Sequence, residues 1–534
     1  MNTSRYGTMI DCSRNAVMRP ERVKRWIDLS AQMGYNSLML YTEETYELAG
    51  EPYFGYGRGR YTVQELRELD DYAAAHGIEL IPCIQTLAHL NALKRWPAYE
   101  PHFDIDDVLM VGDEAVYALI EKMFDTVTAC FSTRTVHIGM DEAMHMGRGR
   151  YYDLHGDSNH TEVLLGHLNR VAQIGKKHGV RLCMWSDMFF RLACGGEYYT
   201  KDAQIDEKVS KLIPENIELV YWDYYNTEKS HYDTMLAAHE ALKAGTWFAG
   251  GLWTWTGFAP HNALAIRITK AALAACSEAE IQNIFLTLWG DDGGECSRFA
   301  VLPAMFYASQ LRQGETEDAK IFERFSERFG VAWEDFMLLD LPGTANDYAE
   351  VYTNADKYLL YQDPFFGLCE SLRDGGESAR YAACAERLRA VKSCGEFAPL
   401  FETMTALCDV LTIKAELCEK TRRAYRTGGE ALQAVLHDYR ELENRLEVFY
   451  RALCAQWAWE NKPFGFEVQD LRIGGLMRRV RHCREELERY AAGACSRIEE
   501  LEQPLLDLNG GGTTFSHKPE WVGPWQKMVS VGIV

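Results

Sequence analysis

Two adjacent acidic residues follow a short apolar stretch in the segment Thr135–Glu142, which reads Thr-Val-His-Ile-Gly-Met-Asp-Glu. If the stretch is a buried strand, Asp141 and Glu142 leave its end in different directions, because successive side chains alternate. They can then act on different parts of one ligand. Two carboxyl groups beside an apolar pocket, one of them kept protonated, are a common arrangement for cleaving glycosidic bonds. The alternative is that both residues only cap the loop or helix that follows.

This acidic pair follows one of eight apolar runs that alternate with stretches of helical spacing up to about residue 312. The runs are Gly7–Asp11, Asn36–Tyr41, Glu79–Ile84, Thr135–Gly139, Val180–Trp185, Ile217–Trp222, Thr246–Gly250 and Asn283–Trp289. Largely apolar runs indicate strands buried on both faces, and their alternation with helices indicates parallel pairing. Eight such units predict an α/β fold, a (β/α)8 TIM barrel, with a doubly wound sheet as the alternative. We favour the barrel because polar and aromatic residues follow nearly every run, which suits loops around one site.

The composition changes after about residue 315, where strand-like runs become rare. Long helical patterns extend from Ile321 to Leu508, for example Ala379–Lys392, Pro399–Ala424 and Met477–Leu501. We therefore predict a catalytic barrel over residues 1–315 and a mostly α-helical C-terminal domain over residues 316–534. The stretch from Asn509 onward is predicted to be an irregular tail of that domain.

Charge and cysteine usage exclude several classes of protein. The 534 residues include 56 Lys and Arg against 78 Asp and Glu, a net charge of −22, which disfavours binding to nucleic acid or anionic lipid. No stretch approaches the ~18 apolar residues of a membrane-spanning helix, and the N-terminus has no signal-peptide pattern. The 15 cysteines include no CxxC pair, so we expect reduced thiols, no metal or cofactor, and a cytosolic location.

The pattern His-x-Gly-x-Asp-Glu, ending at Asp141 and Glu142, resembles the signature of glycoside hydrolase family 20, the β-N-acetylhexosaminidases. Two further strand ends support the resemblance, which covers roughly residues 7–312. Arg14 follows the first run, and Trp289-Gly-Asp291 follows the eighth, where most members have Trp-Gly-Glu. Within the family, the chain resembles a compact bacterial subgroup in which the barrel comes first and a helical domain follows.

The resemblance implies an exo-acting, retaining enzyme that removes a terminal β-linked GlcNAc or GalNAc from an oligosaccharide or glycoconjugate. Glu142 would be the general acid. Asp141 would orient the substrate's 2-acetamido group, whose carbonyl oxygen attacks C1 and forms an oxazolinium intermediate. Adjacency agrees with this mechanism, because consecutive side chains are badly placed to flank a glycosidic bond from opposite faces.

The resemblance also assigns roles to residues at other strand ends. Arg14 would bind the 3- and 4-hydroxyls of the sugar, Asp291 those at C4 and C6, and Trp289 would wall the acetamide pocket. A pocket closed in this way admits only a non-reducing terminal sugar. His89 and Glu43 would form a relay to the general acid, and Glu44 is the alternative to Glu43 because the local sequence departs from the usual family patterns.

Aromatic residues at the remaining strand ends suit a sugar, because indole rings pack on the apolar C–H faces of a pyranose. Many relatives have a tyrosine after the seventh strand that bonds the acetamide oxygen, and this chain has none there. We predict that Tyr225 takes this role, with Tyr224 as the alternative. The other aromatic residues predicted to line the pocket are Trp185, Trp222, Trp253 and Trp255.

Two other functions stay open at this point. One is a barrel glycosidase with a carboxylate nucleophile, Asp187, Asp223 or Asp291, opposite Glu142. The other is an inactive sugar-binding protein, against which the intact pair of Asp141 and Glu142 argues.

The helical domain is predicted to mediate a homodimer. Trp457, Trp459, Phe464 and Phe466 form an aromatic cluster too dense for an ordinary loop. Such a cluster must be buried against the barrel, other helices or a second subunit.

Overall fold

The computed structural model of the chain describes residues 1, 3–199, 210–344, 352–512, 514, 516–518 and 521–534. The strands of this part are β1 Arg5–Asp11, β2 Ser37–Glu43, β3 Glu79–Ile84, β4 Phe103–Ile105, β5 Val108–Leu109, β6 Thr135–His137, β7 Arg181–Trp185, β8 Ile217–Trp222, β9 Thr246–Gly251 and β10 Asn283–Leu288. Within the described residues, eight parallel strands close into a barrel in the order β1-β10-β9-β8-β7-β6-β3-β2. The predicted barrel is confirmed, and each predicted run overlaps one of its strands.

The barrel strands form where the sequence is apolar because both of their faces are covered. All seven residues of β2 are buried, and β10 is buried after its first residue. Side chains that point inward fill the barrel, and those that point outward pack under the surrounding helices. The carboxyl ends of all eight strands therefore meet at one end of the barrel, where their following loops surround a common space.

Helices connect the strands and cover the barrel. They are Pro20–Met33, Val63–Ala75, Asn91–Lys94, Glu114–Cys130, Arg150–His155, His160–Lys177, Asp187–Ala193, Lys229–Glu240, Asn262–Glu278 and Leu302–Arg312. Local signals fix several of their ends. Thr62 and Glu65 form a capping box before the helix Val63–Ala75, and Gly34 ends the first helix in the left-handed conformation.

The chain after the barrel is helical, as predicted. Its helices are Asp318–Phe329, Trp333–Phe336, Ala355–Tyr361, Glu377–Ala390, Ala398–Lys414, Leu417–Thr427, Gly429–Glu460, Phe466–Ala491, Glu499–Glu502 and Trp525–Val529. None of the helices in the described ranges is long and apolar enough to cross a membrane.

Two of the predicted helix boundaries are wrong. The segment predicted as one helix, Pro399–Ala424, is two helices, which end and begin on either side of Ala415 and Glu416. The predicted helix Met477–Leu501 begins earlier, at Phe466, and ends at Ala491. Gly493 follows that end and has a φ of 70°, in the left-handed conformation. A residue in this conformation terminates a helix even where apolar residues continue beyond it.

The aromatic cluster predicted to form a dimer surface is largely used inside the chain. Trp459 lies 5.0 Å from the ring of Phe299 in the barrel domain, and the guanidinium group of Arg22 lies over its ring at 4.1 Å. Trp457 is buried and contacts Phe466 at 5.5 Å. Trp459 therefore attaches the helical domain to the barrel and Trp457 packs within the helical domain, so this argument for a homodimer no longer holds for the two tryptophans.

Candidate active site

The loop after β6 has an unusual backbone. Gly139, Met140 and Glu142 have φ values of 70°, 69° and 53°, in the left-handed region that side chains disfavour by ~1–2 kcal/mol per residue. A Cβ atom at Gly139 would lie only 2.0 Å from Oε1 of Gln85, and the same oxygen accepts a hydrogen bond of 3.1 Å from the Met140 N–H. The turn directs the two carboxyl groups differently. Asp141 is 8% exposed, whereas the Glu142 side chain is 44% exposed.

Strained backbone is concentrated at this end of the barrel. Nine non-glycine residues in the described part of the chain have positive φ, and five of them follow barrel strands here: Asn15, Glu43, His89, Met140 and Glu142. Such conformations persist only where the surrounding structure imposes them, and they are frequent at functional sites. This concentration marks the strand ends as the candidate site independently of the sequence motif.

Asp141 is held as an anion. Its Oδ1 accepts a hydrogen bond of 2.7 Å from Nε2 of Gln85, and its Oδ2 lies 3.1 Å from Nε2 of His89. Burial acts to raise the pKa of Asp141, but the charge of His89 and the bond from Gln85 lower it to about 2. Burial acts to lower the pKa of His89, but the charge of Asp141 raises it to about 10. The two residues therefore form a partly enclosed ion pair.

Glu142 extends toward the open side of the site between two cations. Its Oε2 lies 3.7 Å from Nε2 of His89, and its Oε1 lies 3.7 Å from Nη2 of Arg191. Its backbone N–H donates a hydrogen bond of 3.0 Å to Oδ2 of Asp187. The predicted contact of His89 with Glu142 is present, but His89 lies closer to Asp141.

The histidine of the sequence motif has a supporting role. His137 is fully buried, its Nδ1 accepts the N–H of Gly139 at 3.1 Å, and its ring packs on Trp185 at 4.5 Å. Burial lowers the pKa of His137 to about 3, so its ring is neutral. It holds the turn and the pocket wall in place without carrying charge.

Arg14 follows β1 and contacts both acidic and aromatic side chains. Its Nη1 is 3.4 Å from Oδ2 of Asp11 and 3.6 Å from Oε1 of Glu43, and its guanidinium group lies 4.8 Å and 4.9 Å from the rings of Tyr41 and Trp289. The arginine is thereby fixed in direction before any ligand binds. Burial raises the pKa of Glu43, against the lowering effect of Arg14.

The structure distinguishes the two acidic residues after β2. Glu43 accepts a hydrogen bond of 2.9 Å from the Tyr41 hydroxyl and contacts Arg14, so it faces the site as predicted. Glu44, its alternative, pairs with Arg58 at 2.9 Å. A cavity of about 520 Å³ is lined by side chains of the predicted site together with their neighbours, and these predicted residues are Arg14, Glu43, His89 and Asp291.

The predicted aromatic residues form a connected wall. Trp222 stacks on Tyr224 at 5.3 Å, Tyr224 contacts Trp255 at 5.6 Å, and Trp255 stacks on Trp253 at 4.4 Å. Tyr225 contacts Trp253 edge-on at 5.6 Å. These rings line the carboxyl ends of β8 and β9, where the face of a sugar ring can pack on them.

A second aromatic group extends this wall on the side of Asp141. Trp289 contacts Trp185 at 6.0 Å and Tyr41 edge-on at 4.8 Å. The indole nitrogens of Trp185 and Trp253 are buried without a hydrogen-bond acceptor among the described residues. A buried donor of this kind is costly unless a ligand or water satisfies it.

Sequence reasoning missed Gln85, Arg191 and Tyr352. Gln85 directly follows β3 and Arg191 lies on the helix after β7, and their type alone does not separate them from other polar residues. Tyr352 stacks on Trp253 at 5.4 Å and contacts Tyr225 at 5.8 Å, although it lies about a hundred residues further along the chain. Only the attachment of the helical domain brings it to the barrel mouth.

One group of side chains in the described residues could share a metal ion, and it lies away from this site. Glu121, Asp125 and His178 bring their ligand atoms together on the outer helices. Lys177 donates a hydrogen bond of 2.6 Å to Glu121, so a cationic partner is already present. The candidate active site itself consists of carboxyl groups, an ion pair and aromatic rings.

The chain forms a closed (β/α)8 barrel, and its strand ends carry paired carboxyl groups and a wall of tryptophans. This combination is typical of glycoside hydrolases. The family described as "Glycosyl hydrolase family 20, catalytic domain" matches residues 43–242, and "Glycoside Hydrolase 20C C-terminal domain" matches residues 334–517. The chain belongs to glycoside hydrolase family 20.

Individual relatives are distant. The chain is 24% identical to Hexosaminidase D of Homo sapiens over 201 residues, which are 36% of this chain and 39% of that protein. It is 27% identical to the Beta-hexosaminidase of Vibrio furnissii over 247 residues, which are 37% of this chain and 39% of that protein. The chain thus spans about two fifths of the length of these two relatives. The crystal structure of the exo β-N-acetylglucosaminidase from Vibrio harveyi in complex with N-acetylglucosamine has a TM-score of 0.48 and 15% identity, covering 63% of this chain and 58% of that one.

Proposed function

We propose that the chain is an exo-acting, retaining β-N-acetylhexosaminidase, which removes terminal β-linked GlcNAc or GalNAc from an oligosaccharide or glycoconjugate. The observation that carries the proposal is the different environment of two consecutive carboxyl groups. Asp141 is enclosed and held as an anion by His89 and Gln85, whereas Glu142 extends into the open side of the site. The names of the two relatives, Hexosaminidase D and Beta-hexosaminidase, agree with this substrate class.

In the first step, the carbonyl oxygen of the substrate's 2-acetamido group forms a bond to C1 while the glycosidic C1–O bond breaks. Glu142 gives its proton to the departing oxygen. The acetamide nitrogen keeps its N–H in the resulting oxazolinium ion, and the negative charge of Asp141 stabilises the positive charge that develops there. The nucleophile is already part of the substrate, so the enzyme only has to orient it.

In the second step, the Glu142 carboxylate takes a proton from a water molecule as its oxygen bonds to C1. The C1–O bond of the oxazolinium ring breaks, and the acetamide is restored. Two successive inversions at C1 give net retention, and Glu142 is protonated again for the next cycle.

The positions of the alternative nucleophiles favour this mechanism over a covalent one. Asp187 is fully buried beneath Glu142, whose N–H it binds. Asp223 is also fully buried, and it accepts hydrogen bonds from Tyr221, Tyr225 and Asn226 in its own loop. Neither carboxylate is free to reach a sugar carbon. Asp291 is exposed, and its neighbour Arg14 suits it to binding hydroxyl groups.

Three further features belong to the proposal. Arg14, Asp291 and Trp289 would close the pocket around the non-reducing end, which gives exo action. A cytosolic location rests on fifteen cysteines that are all free thiols in the structure. A homodimer through the helical domain stays a prediction.

The decisive experiment compares p-nitrophenyl β-glycosides that differ only at C2. The 2-acetamido sugar should be hydrolysed orders of magnitude faster than the 2-hydroxy sugar, because only the former carries the nucleophile. A thiazoline analogue of the bicyclic intermediate should inhibit far more tightly than GlcNAc binds. Hydrolysis of the 2-hydroxy sugar at a similar rate, with a 2-fluoro sugar trapped on Asp291, would instead establish a carboxylate nucleophile.

A further inference from the structure

Five charged groups of alternating sign run through the candidate site. Oδ2 of Asp141 lies 3.1 Å from Nε2 of His89, which is 3.7 Å from Oε2 of Glu142. On the other side, Oε1 of Glu142 lies 3.7 Å from Nη2 of Arg191, whose Nε donates a hydrogen bond of 3.1 Å to Oδ2 of Asp187. Glu142 is therefore at the centre of the series, with one cation on each of its oxygens and a carboxylate behind each cation.

The second arm of this series is not part of the mechanism described above. Asp187 and Arg191 lie four residues apart on the helix Asp187–Ala193, which begins two residues after β7 ends. This spacing places both side chains on one face of the helix. The sequence after β7 thus supplies a carboxylate and a cation together, directed at the loop that carries Glu142.

Arg191 is fixed in its direction by more than one contact. Besides its bond to Asp187, its Nη1 donates to the carbonyl oxygen of Gly196 at 3.2 Å, and its guanidinium group lies over the ring of Tyr198 at 5.9 Å. These contacts use the Nε and Nη1 groups, and the remaining group, Nη2, faces Glu142. A planar guanidinium group held in this way acts as an oriented charge.

Asp187 connects the same arm to the backbone of the loop. Its Oδ2 accepts both the Arg191 Nε–H and the Glu142 N–H, whereas its Oδ1 is buried without a hydrogen-bond partner among the described residues. Burial and the nearby charge of Asp141 raise the pKa of Asp187 to about 7, against the effects of these two bonds. Burying a carboxylate is energetically unfavourable, so we infer that Asp187 is buried here because of its contacts with Arg191 and Glu142.

We propose that Arg191 is a positioning residue for Glu142, which directs the carboxyl group, and that Asp187 holds Arg191 in place. The inference rests on the proposed function, because it concerns Glu142 as the general acid. A guanidinium group with a fixed direction keeps the Glu142 carboxyl group aimed at the departing oxygen. The contribution should therefore be largest for substrates whose leaving group needs full protonation.

Other ionisable groups also face Glu142, and they are His89, Asp187, Asp291 and Tyr225. Arg191 contacts the Glu142 carboxyl group directly and can be replaced by a residue of similar length without removing a group that the mechanism assigns to the substrate. It is therefore the residue to change.

The test measures kcat and KM for Arg191→Met, Arg191→Lys and the wild type with p-nitrophenyl β-GlcNAc and with a GlcNAc disaccharide. In Arg191→Met the kcat for the disaccharide should fall about tenfold or more with little change in KM, and less for the aryl glycoside. Arg191→Lys should restore most of both losses. Arg170→Met is the matched control, since Arg170 pairs with Glu114 on outer helices.

A second measurement keeps the proposal testable if Arg191→Met is unstable. When Glu142→Gln already removes the acid, a further change at Arg191 should cost no additional kcat, because residues that act through one another are non-additive. A wild-type kcat for the disaccharide in folded Arg191→Met, or full additivity with Glu142→Gln, would overturn the inference. A wild type inactive on every β-N-acetylhexosaminide would contradict the proposed function instead.

Discussion

Gln85 binds Asp141 with a hydrogen bond of 2.7 Å from its Nε2 to Oδ1, while its own Oε1 occupies the space beside Cα of Gly139. One amide therefore fixes both the carboxylate and the turn that presents it. The contact is possible only because residue 139 has no side chain. It explains why a glycine stands two residues before the acidic pair.

The first prediction follows from this contact. Gly139→Ala should lower kcat/KM at least tenfold and destabilise the fold by more than about 2 kcal/mol, since the new Cβ atom must displace Gln85 as well as adopt a positive φ. Gly77→Ala is the matched control, because Gly77 has nearly the same φ, 71°, and no atom lies within 4 Å of the point that its Cβ would occupy. Kinetics and thermal unfolding of both variants would separate the effect of displacing Gln85 from the effect of the positive φ. Equal losses in both would show that the Gln85 contact is unimportant.

The second prediction concerns the proton donor. Glu142→Gln should reduce kcat/KM for a GlcNAc disaccharide by roughly 10²–10⁴-fold, which is the usual contribution of general acid catalysis. The loss should be smaller for aryl glycosides whose leaving group departs without a proton. Thiazoline binding, measured by calorimetry, should change little. If the losses on the two kinds of substrate are the same, Glu142 is not the acid.

The third prediction is a pH dependence of stability. The pKa of His89 is raised from 6.5 to about 10 in the folded protein by Asp141, against the effect of burial. A raised pKa means that the stabilisation is complete below pH 6.5 and is lost as the pH rises through 10. Between about pH 7 and 10, the free energy of unfolding should therefore fall further in the wild type than in His89→Gln. The difference between the two decreases should be about 1 kcal/mol or more. Denaturant titrations at several pH values would measure this, with the more exposed His76→Gln as the control. Parallel curves for wild type and His89→Gln would contradict the ion pair.

The barrel and the acidic pair could be predicted because their signals are local. A strand buried on both faces must be apolar along its length, so each run in the sequence marks one strand. The position of the acidic pair at a strand end then places it at the barrel mouth. The resemblance to the family places Arg14 and Glu43 at the site and leaves Glu44 open as the alternative to Glu43.

The supporting contacts could not be predicted, because they depend on how distant segments pack. Arg191 reaches Glu142 only because the strands that precede them, β6 and β7, are neighbours in the barrel. Tyr352 reaches Trp253 only because the helical domain attaches to the barrel. The same attachment places Trp459 against Phe299, and Trp457 is covered by Phe466 within the helical domain, whereas the sequence alone presents both as an unpartnered aromatic cluster.

The last prediction separates two neighbouring tyrosines. Tyr225 is 42% exposed at the pocket mouth, whereas Tyr224 is 5% exposed, between Trp222 and Trp255. A hydroxyl that bonds the acetamide oxygen must be accessible before the substrate binds, which favours Tyr225. Tyr225→Phe should therefore lower kcat about 10–100-fold and weaken thiazoline inhibition, as expected for the loss of one hydrogen bond to a developing charge. Tyr224→Phe keeps the ring in the aromatic wall and should retain most activity. Steady-state kinetics on p-nitrophenyl β-GlcNAc would measure both, and the reverse order of losses would assign the acetamide contact to Tyr224.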